Sequence, residues 1–529
     1  MDKDLAAVQE VRDLCKKANS AQIKFKEFSQ EQVDRIVYAM TEAGFAAATR
    51  LAEMAIAETG FGKLKDKIEK NQFATRNIHK FIAPLKTVGI IENDSHRKIK
   101  KIAEPMGVIA GIIPSTNPTS TALFKSLIAV KSRNSIIFSP HPKAIGCIQE
   151  SVNIMRKAAE AAGAPPDLIN CLTLPAMEGT RELMQHHDIA VILATGGAGL
   201  VKAAYSAGKP AYGVGPGNVP AFIERTANVK KAVADIVISK TFDNGTVCAS
   251  EQSVIVDQPV EHKVIQAFKQ HRAYFMSDAE SDMTARALVS PHLEVNPKLV
   301  GQPASVIAQA AGFSVPPETS ILIARQRGVG NAFPLTIEKL SPVLTFFVEN
   351  GWEAGCERCI EVLNFGGLGH TLVIHSTDES IIEQFGLKKP AFRILVNTPG
   401  THGAIGLTTN LEPSLTLGCG TYGGNITADN VTPMHLLNIK RVAYEVNPVT
   451  QQPGQLSETA KTDTARTFPY QSALASFSSR KIDSPAAEAS INTKQPLNSN
   501  NHGLTFGNSG MGADEVEKIV REFLAQRNR

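Results

Sequence analysis

Short apolar runs alternate with helical stretches between residues 98 and 260, and this alternation constrains the fold more than any other feature of the chain. Apolar runs at 108–113, 135–139, 189–193 and 220–223 have the length of buried strands, and helical patterns at 119–131 and 145–162 lie between them. Strands that alternate with helices form parallel sheets covered by helices on both faces. The sequence therefore predicts a doubly wound α/β domain that binds a nucleotide.

A second α/β block is predicted from residue 224 to about 415. Its strand candidates are 253–257, 321–324, 343–348 and 371–375, and its helices include 229–240 and 261–270. Residues 1 to about 85 are different, because apolar residues recur there every three or four positions after the cap-like Ser29. That period is typical of helices and predicts a helical N-terminal layer.

Composition and charge exclude several classes of function. The formal net charge is only +4 over 529 residues. This positive charge is too dilute for a nucleic-acid binder. The longest apolar stretch, Ile189 to Val201, contains three glycines and is shorter than the roughly 20 residues of a membrane span. The first residues do not have the basic-then-apolar order of a secretory signal. We therefore expect a cytoplasmic protein with no nucleic-acid or membrane partner.

The composition changes sharply after Tyr444. Ser, Thr, Asn, Gln, Pro and Gly dominate residues 447–510, which predicts a flexible linker. The segment 511–529 then has one apolar stripe at helical spacing, formed by Val516, Ile519, Val520, Phe523 and Leu524. This pattern predicts an amphipathic helix that either binds a partner surface or folds back onto the core of its own chain.

Cys248 is the strongest candidate for chemistry. It stands between the Asn244-Gly245 turn and an apolar strand, a position from which a thiolate is able to act as a nucleophile. The local pattern alone also fits a buried structural cysteine. The seven cysteines are scattered along the chain, so we expect free thiols and no disulfides.

Other local patterns are weaker. Glycine clusters at 195–199 and 213–217 suit either a phosphate at a helix N-terminus or a tight turn, and neither is a complete GxGxxG. Cys356 and Cys359 have CxxC spacing without a second ligand pair, and we interpret them as part of a helix. A solvated turn explains residues 186–188, His-His-Asp. No metal site is predicted.

Seven motifs taken together, in order, are more specific than any one of them. They occupy residues 104–120, 136–143, 194–197, 213–220, 242–252, 338–342 and 366–371. This chain resembles the CoA-acylating aldehyde dehydrogenases over residues 10 to 445. Within that group it is most similar to the short-chain enzymes of bacterial microcompartments and to the aldehyde dehydrogenase half of bifunctional aldehyde-alcohol dehydrogenases.

The resemblance implies the aldehyde dehydrogenase fold and a domain plan. A Rossmann-like NAD-binding domain with the helical N-terminus is expected over 1–223, and an α/β catalytic domain over 224–415. A small β oligomerisation unit is expected from a hairpin near 96–106 and from strands within the return segment 416–446.

The resemblance also implies roles for four residues. Cys248 occupies the nucleophile position and would attack the aldehyde carbonyl. The side-chain amide of Asn117 and the backbone N–H of Cys248 would stabilise the oxyanion, with Thr116 as the alternative if the alignment shifts by one residue. His370 either assists deprotonation of the CoA thiol or is hydrogen-bonded at a turn.

The implied cofactor is NAD. Glu338 falls where the family holds the nicotinamide ribose, and the motif 194–197 falls beside the pyrophosphate. The residues assigned to the cofactor site are Thr116, Ser139, Pro140, His141, Thr195, Gly196, Gly197, Gly215, Glu338 and Leu340. Hydrolytic relatives often carry a lysine in the segment that corresponds to 139–141, where it contacts the adenosine ribose. The segment 139–141 of this chain has no lysine.

The implied reaction converts an aldehyde, NAD and CoA into acyl-CoA and NADH. Hydrolytic relatives use a carboxylate to activate water, and the corresponding segment 212–218 has none. A thiol acceptor is therefore favoured over water. The alternatives are an acylating sulfoacetaldehyde dehydrogenase, a hydrolytic enzyme that releases free acid, and a scaffold with a vestigial site. Intact Cys248, Asn117 and Glu338 argue against the scaffold.

The expected partners also follow from the resemblance. They are a short-chain aldehyde, acetaldehyde or propionaldehyde, the co-substrate CoA, and further copies of the chain in a homodimer or homotetramer. Terminal helices like the segment 511–529 direct relatives into bacterial microcompartments. We therefore expect this segment to bind a shell or cargo protein and the enzyme to reside in the microcompartment lumen.

Overall fold

Five helices form the N-terminal layer. The protein is described here by a computed structural model, which describes residues 2–448. The helices are α1 Lys3–Phe25, α2 Gln30–Ala46, α3 Ala48–Thr59, α4 Leu64–Gln72 and α5 Ile78–Ile82, and a π-helical turn, Phe73–Asn77, joins the last two. Ser29 and Gln32 form a capping box at the start of α2. The predicted helical layer and its cap are confirmed. The predicted segments 449–510 and 511–529 lie outside the described residues.

A small antiparallel sheet lies next in the chain. Strands β1 Gly89–Asp94 and β2 Ile99–Pro105 form a hairpin, and a strand near the end of the described chain, Leu437–Ala443, pairs with β2 on its other side. The hairpin was predicted near 96–106, so its first strand begins earlier than expected. The reason is that β1 is largely exposed and its two isoleucines are adjacent, so no alternating apolar pattern marks it.

The first parallel sheet has five strands in the order β5-β4-β3-β6-β7. Its strands are β3 Val108–Ile112, β4 Ser135–Ser139, β5 Ile169–Cys171, β6 Ile189–Thr195 and β7 Ala211–Val214. Its helices are α6 Pro118–Lys131, α7 Ile145–Ala161, α8 Met177–Gln185 and α9 Ala198–Tyr205. The chain runs outward from β3 in one direction and from β6 in the other, so the carboxyl ends of β3 and β6 form the crevice where doubly wound sheets bind ligands. The predicted doubly wound fold is confirmed.

The second parallel sheet has seven strands in the order β10-β11-β12-β9-β8-β13-β14. Its strands are β8 Val219–Ile223, β9 Glu251–Asp257, β10 Ala273–Phe275, β11 Ile321–Arg325, β12 Val343–Glu349, β13 Gly369–His375 and β14 Ala391–Val396. Its helices are α10 Val229–Thr241, α11 Glu261–Gln270, α12 Asp278–Leu288, α13 Ala304–Ala311, α14 Trp352–Gly366, α15 Glu379–Lys388 and α16 Gly400–Ala404. The strand Leu437–Ala443 of the small sheet is β15.

The boundary predicted at residue 223 is wrong by one strand. Strand β8 pairs with β9 and β13 and therefore belongs to the second sheet. Its five residues are all buried, as in β3 and β4 of the first sheet, so its composition does not reveal which sheet it joins. The chain crosses between the two sheets at 215–218, the glycine-rich segment before β8.

The apolar core fills the faces of both parallel sheets. Helix α6 has every residue buried, because it lies between the first sheet and the N-terminal helices. No helix among residues 2–448 combines the length and the apolar character that crossing a bilayer requires. Within the same residues all seven cysteines are free thiols.

Candidate active site

Two cavities meet at Cys248. The large cleft has a volume of about 940 Å³ and lies at the carboxyl ends of the first sheet. The small cavity has a volume of about 60 Å³ and lies among α4, α6, the turn before Cys248 and the loop segments at 401–417. Cys248, Asn117 and Thr195 line both. A side chain at this junction is accessible to two different ligands at once.

The turn before Cys248 has an unusual backbone. Three successive residues, Asp243, Asn244 and Gly245, adopt positive φ angles of 48°, 52° and 74°. Asp, Asn and Gly are the residues that tolerate this left-handed conformation best. A side chain on Gly245 would approach the Ser341 carbonyl oxygen to 2.9 Å, so the position also requires glycine for space. The Asp-Asn-Gly sequence thus fixes the direction in which the chain enters the cysteine segment.

The carboxylate of Asp243 is buried and lies between two lysines of α4. Lys67 Nζ is 3.0 Å from Asp243 Oδ2, and Lys70 Nζ contacts the same oxygen. Burial alone raises the pKa of Asp243, but the two ammonium groups outweigh it and hold the pKa below its ordinary value. Sequence reasoning missed this cluster, because α4 is more than 170 residues from the turn and only the Lys-x-x-Lys spacing signals a shared helix face.

Asn117 lies immediately before α6, which starts at Pro118. Its Nδ2 donates to the Thr246 carbonyl oxygen at 3.2 Å, and its Oδ1 accepts from Lys70 Nζ at 2.5 Å. Thr116 lines the large cleft, whereas Asn117 lines both cavities. The structure therefore favours Asn117 over Thr116 as the residue beside the reacting carbonyl.

Cys248 is a thiol in the resting site. Burial, and then the negative charge of Glu338, raise the pKa of Cys248 to about 12. Burial also raises the pKa of Glu338 to about 7, and its Oε1 accepts a hydrogen bond from the Gly217 backbone N–H at 3.0 Å. The negative charge of Glu338 therefore disfavours the thiolate form of Cys248.

His370 is fully buried and is not among the residues that line either cavity. Its Nδ1 is 2.9 Å from Thr371 Oγ1, and burial, followed by the positive charge of Arg393, lowers its pKa to about 3. A side chain on Gly217 would lie 2.2 Å from the Cys248 carbonyl oxygen and 3.1 Å from the His370 ring. His370 therefore packs against the backbone behind Cys248, and its buried Nε2 has no hydrogen-bond partner among the described residues. Which of its two predicted roles it has stays a prediction.

The residues assigned to a cofactor all line the large cleft. Segment 195–197 joins β6 to α9, segment 139–141 follows β4, and Gly215, Glu338 and Leu340 complete the wall. The N-terminus of α9 suits a phosphate, and the buried Thr195 Oγ1 has no hydrogen-bond partner among residues 2–448. The cleft thus fits a dinucleotide. Lys143 and Arg181 also line it and were not predicted.

The small cavity was not predicted from the sequence. Its wall is mainly apolar and includes Phe73, Phe242, Val247, Ile405, Leu407, Leu415 and Leu417. Besides Cys248, its titratable residues are Glu69, Lys70 and His402, whose Nε2 lies 3.9 Å from Glu69 Oε1. Burial lowers the pKa of His402, so its ring is neutral near pH 7. The cavity suits a small uncharged group beside Cys248.

Two patterns outside this site can now be located. Cys356 and Cys359 are buried on α14, which confirms the helical interpretation. His186, His187 and Asp188 bring three ligand atoms within 4.8 Å of one another at the end of α8. The two histidine rings stack with their centroids 4.4 Å apart. The absence of a metal site stays a prediction.

Known proteins resemble this chain over its described part. The aldehyde dehydrogenase family model matches residues 3–292. The bifunctional aldehyde-alcohol dehydrogenase AdhE of Escherichia coli is 46% identical over 441 residues, which are 82% of this chain and 49% of that protein. The chain thus spans about half the length of this curated relative.

Two solved structures extend the comparison. An acetylating aldehyde dehydrogenase from Geobacillus thermoglucosidasius is 51% identical with a TM-score of 0.84, and the match covers 85% of this chain and 100% of that one. A propionaldehyde dehydrogenase from the fucose utilisation microcompartment of Clostridium phytofermentans is 26% identical with a TM-score of 0.74, covering 82% and 97%. The resemblance recognised in the motifs is confirmed: the chain belongs to the aldehyde dehydrogenase family, in the branch that contains the acylating enzymes.

Proposed function

We propose that the protein oxidises a short-chain aldehyde, acetaldehyde or propionaldehyde, to its acyl-CoA through a thioester on Cys248, with NAD as oxidant. The observation that carries the proposal is the position of Cys248 between a dinucleotide-sized cleft and a small apolar cavity. The aldehyde binds in the small cavity and the cofactor in the large cleft. The two reactants therefore meet at the sulfur.

The first half of the reaction forms a carbon–sulfur bond. The sulfur of Cys248 attacks the carbonyl carbon, and Asn117 Nδ2 and the backbone N–H of Cys248 donate to the oxygen as its negative charge develops. Glu338 is our candidate for accepting the thiol proton, because it lines the same cleft and its pKa is raised to about 7. When bound, NAD accepts the hydride from the former carbonyl carbon, and the acyl group stays on sulfur as a thioester.

The second half transfers the acyl group to the thiol of CoA. Val214, Gly215 and Pro216 line the large cleft, and no carboxylate occurs in segment 212–218 to activate water there. After acylation Glu338 already carries the thiol proton in this scheme and cannot act as a base, so water is a poor competitor, which argues against the hydrolytic alternative. For His370 we propose the structural role, because its buried ring supports the Gly217 backbone and its lowered pKa makes it a weak base.

The size and charge of the small cavity define the aldehyde. A volume of about 60 Å³ with an apolar wall admits a chain of few carbons. The two ammonium groups of Lys67 and Lys70 face the carboxylate of Asp243, and Glu69, in the cavity wall, adds a second carboxylate. An anionic sulfoacetaldehyde finds no unbalanced cation among these described residues, so we favour an uncharged aldehyde.

A product assay tests the proposal. The purified protein is supplied with acetaldehyde, propionaldehyde or butyraldehyde, with NAD or NADP, and with or without CoA. We expect NADH formation that depends on CoA and acyl-CoA as the product in mass spectrometry. Free acid formed equally fast without CoA would overturn the proposal in favour of hydrolysis. The Cys248→Ala protein serves as the control for uncatalysed thiol chemistry.

We also propose a homodimer or homotetramer joined through the small sheet. Strands β1 and β15 are its edges and are largely exposed, and an exposed edge strand readily pairs with another chain. Light scattering on the purified protein measures the mass. A monomer at micromolar concentration would contradict this proposal, whereas a dimer or tetramer that dissociates when β15 is deleted would support it.

For the segment 511–529 we propose binding to a microcompartment shell or cargo protein, which would retain this cytoplasmic enzyme in the lumen. The support is the apolar stripe in its sequence. Residues 505–529 fused to a fluorescent reporter, in cells that make the cognate compartments, should give discrete foci. Diffuse fluorescence, the same as in an Ile519→Asp, Phe523→Asp control, would contradict it.

A further inference from the structure

Lys70 contacts the proposed oxyanion residue but is not one of the residues that the motifs identify. It lies on α4, is buried, and lines the small cavity. Its Nζ is 2.5 Å from Asn117 Oδ1 and also contacts Asp243 Oδ2. The N-terminal layer thus contributes a cation directly behind the amide that faces the reacting carbonyl.

The contact has a defined direction. A lysine ammonium only donates hydrogen bonds, so the oxygen arm of the Asn117 amide must face it. The Thr246 carbonyl only accepts, and Asn117 Nδ2 donates to it at 3.2 Å. A flipped amide would set its NH₂ group against the ammonium and its oxygen against the carbonyl. The two contacts therefore select the orientation that places the NH₂ group on the side of the cysteine segment, where Nδ2 also lies 3.2 Å from Thr116 Oγ1.

Asp243 keeps the ammonium in position. Its carboxylate accepts from Lys67 and Lys70 and also from the Lys63 backbone N–H at 2.8 Å and from Thr246 Oγ1 at 2.7 Å. Both Asp243 and Thr246 belong to the turn that leads to Cys248. One carboxylate therefore couples α4, the nucleophile segment and, through Lys70, the Asn117 amide.

On these contacts, and resting on the proposed function, we infer that Lys70 is a positioning residue for the oxyanion site: it orients the Asn117 amide and polarises it so that Nδ2 becomes a stronger donor. A charged donor to the amide oxygen withdraws electron density from the amide nitrogen. The effect is largest when the carbonyl oxygen carries negative charge. Lys70 should therefore act on the rate of acylation more than on the binding of the aldehyde.

A double-mutant cycle tests the inference. The rate of NADH formation in a single turnover without CoA is measured for the wild type, Lys70→Met, Asn117→Ala and the double variant. We expect Lys70→Met to lower the rate about tenfold to a hundredfold, less than the 10²–10³ typical of a direct oxyanion donor, with KM for the aldehyde nearly unchanged. The double variant should be no slower than Asn117→Ala alone, because Lys70 acts through Asn117. Losses that multiply in the double variant would overturn the inference.

Lys67→Met is the matched control. Lys67 also pairs with Asp243 in the interior and donates to the Thr116 carbonyl oxygen at 3.3 Å, but it does not contact the Asn117 side chain. We expect both lysine variants to lower the melting temperature and only Lys70→Met to slow acylation. An equal loss of rate in the two variants would show that Lys70 matters only for folding. If Lys70→Met does not fold, Lys70→Gln replaces it in the cycle under the same criteria.

The double-mutant cycle and the product assay test two proposals that can be refuted independently. Single-turnover NADH formation reports acylation whether the thioester is later taken by CoA or by water. Free acid as the product would therefore refute the acyl-CoA proposal and leave the role of Lys70 intact. Rate losses that multiply in the double variant would refute that role and leave the acyl-CoA proposal intact.

Discussion

The large cleft and the small cavity meet at Cys248, but different parts of the fold build their walls. The large cleft is lined by the segments at the ends of β3, β4 and β6, by segment 214–216, and by side chains of α8 and α9. The small cavity is enclosed by bulky side chains from α4, α6, the 242–248 turn and the loop at 401–417. Sheet topology therefore fixes the large cleft, whereas side-chain volume fixes the small cavity. Selectivity for the aldehyde should be easy to alter without disturbing the cofactor side.

Removing the shared sulfur should have the largest effect. Cys248→Ala should abolish turnover, because no other side chain at the junction supplies a thiolate. NAD affinity should change little, since the large cleft keeps its other walls. Stopped assays for NADH and calorimetric titration with NAD measure the two properties. Turnover comparable with the wild type would contradict the assignment of the nucleophile.

Gly217 and Gly215 lie in one segment, but substitutions at the two positions should have different effects. Gly217 is packed against the backbone of Cys248, whereas Gly215 faces the large cleft. A side chain at Gly217 would approach the Cys248 carbonyl oxygen to 2.2 Å, whereas one at Gly215 meets no atom within 4 Å. Gly217→Ala should therefore displace the nucleophile and lower kcat about a hundredfold, in line with the cost of a misplacement near 1 Å. Its melting temperature should also fall.

Gly215→Ala is the matched control for Gly217→Ala. Its melting temperature should stay close to that of the wild type, and its KM for NAD should rise because the new methyl group enters the large cleft. Thermal melts and steady-state kinetics on both variants make the comparison. Equal destabilisation by the two substitutions would contradict the close packing behind Cys248.

The resting thiol should react slowly with alkylating agents. Since the pKa of Cys248 is raised to about 12, its thiolate fraction is small near neutral pH and grows about tenfold with each pH unit. The rate of modification by iodoacetamide in the absence of ligands should therefore still be rising near pH 9. Glu338→Gln should speed the reaction, because it removes the negative charge that raises the thiol pKa. A plateau reached below about pH 8 would contradict the raised pKa.

Chain-length preference should show the smallest change. Leu407 lines the small cavity, and Leu407→Ala should raise the ratio of kcat/KM for butyraldehyde over acetaldehyde about tenfold, the usual effect of space for a methylene group. Leu200→Ala in the large cleft is the control and should change KM for NAD but not this ratio. A shift of the ratio in the control would show that the two walls are not independent.

The sequence revealed the large cleft better than the small cavity, because sheet topology fixes the cleft whereas side-chain packing fixes the cavity. Segment 195–197 and Cys248 stand in local motifs beside strand ends, where a short stretch of sequence determines the geometry. Lys70 and Asp243 meet only through tertiary packing, and nothing near either residue signals the other. His370 shows the converse limit, because its motif was recognised but its burial behind Gly217 depends on the whole second sheet.

Acylation of Cys248 by its own product tests the central claim most directly. The protein is incubated with propionyl-CoA in the absence of NADH, and its intact mass and peptides are measured. The reverse of the second half-reaction should add one propionyl group, found on the peptide that contains Cys248 and removed by hydroxylamine. Cys248→Ala should gain none. An acyl group on another cysteine, or an unmodified wild type under conditions where it turns over, would contradict the account.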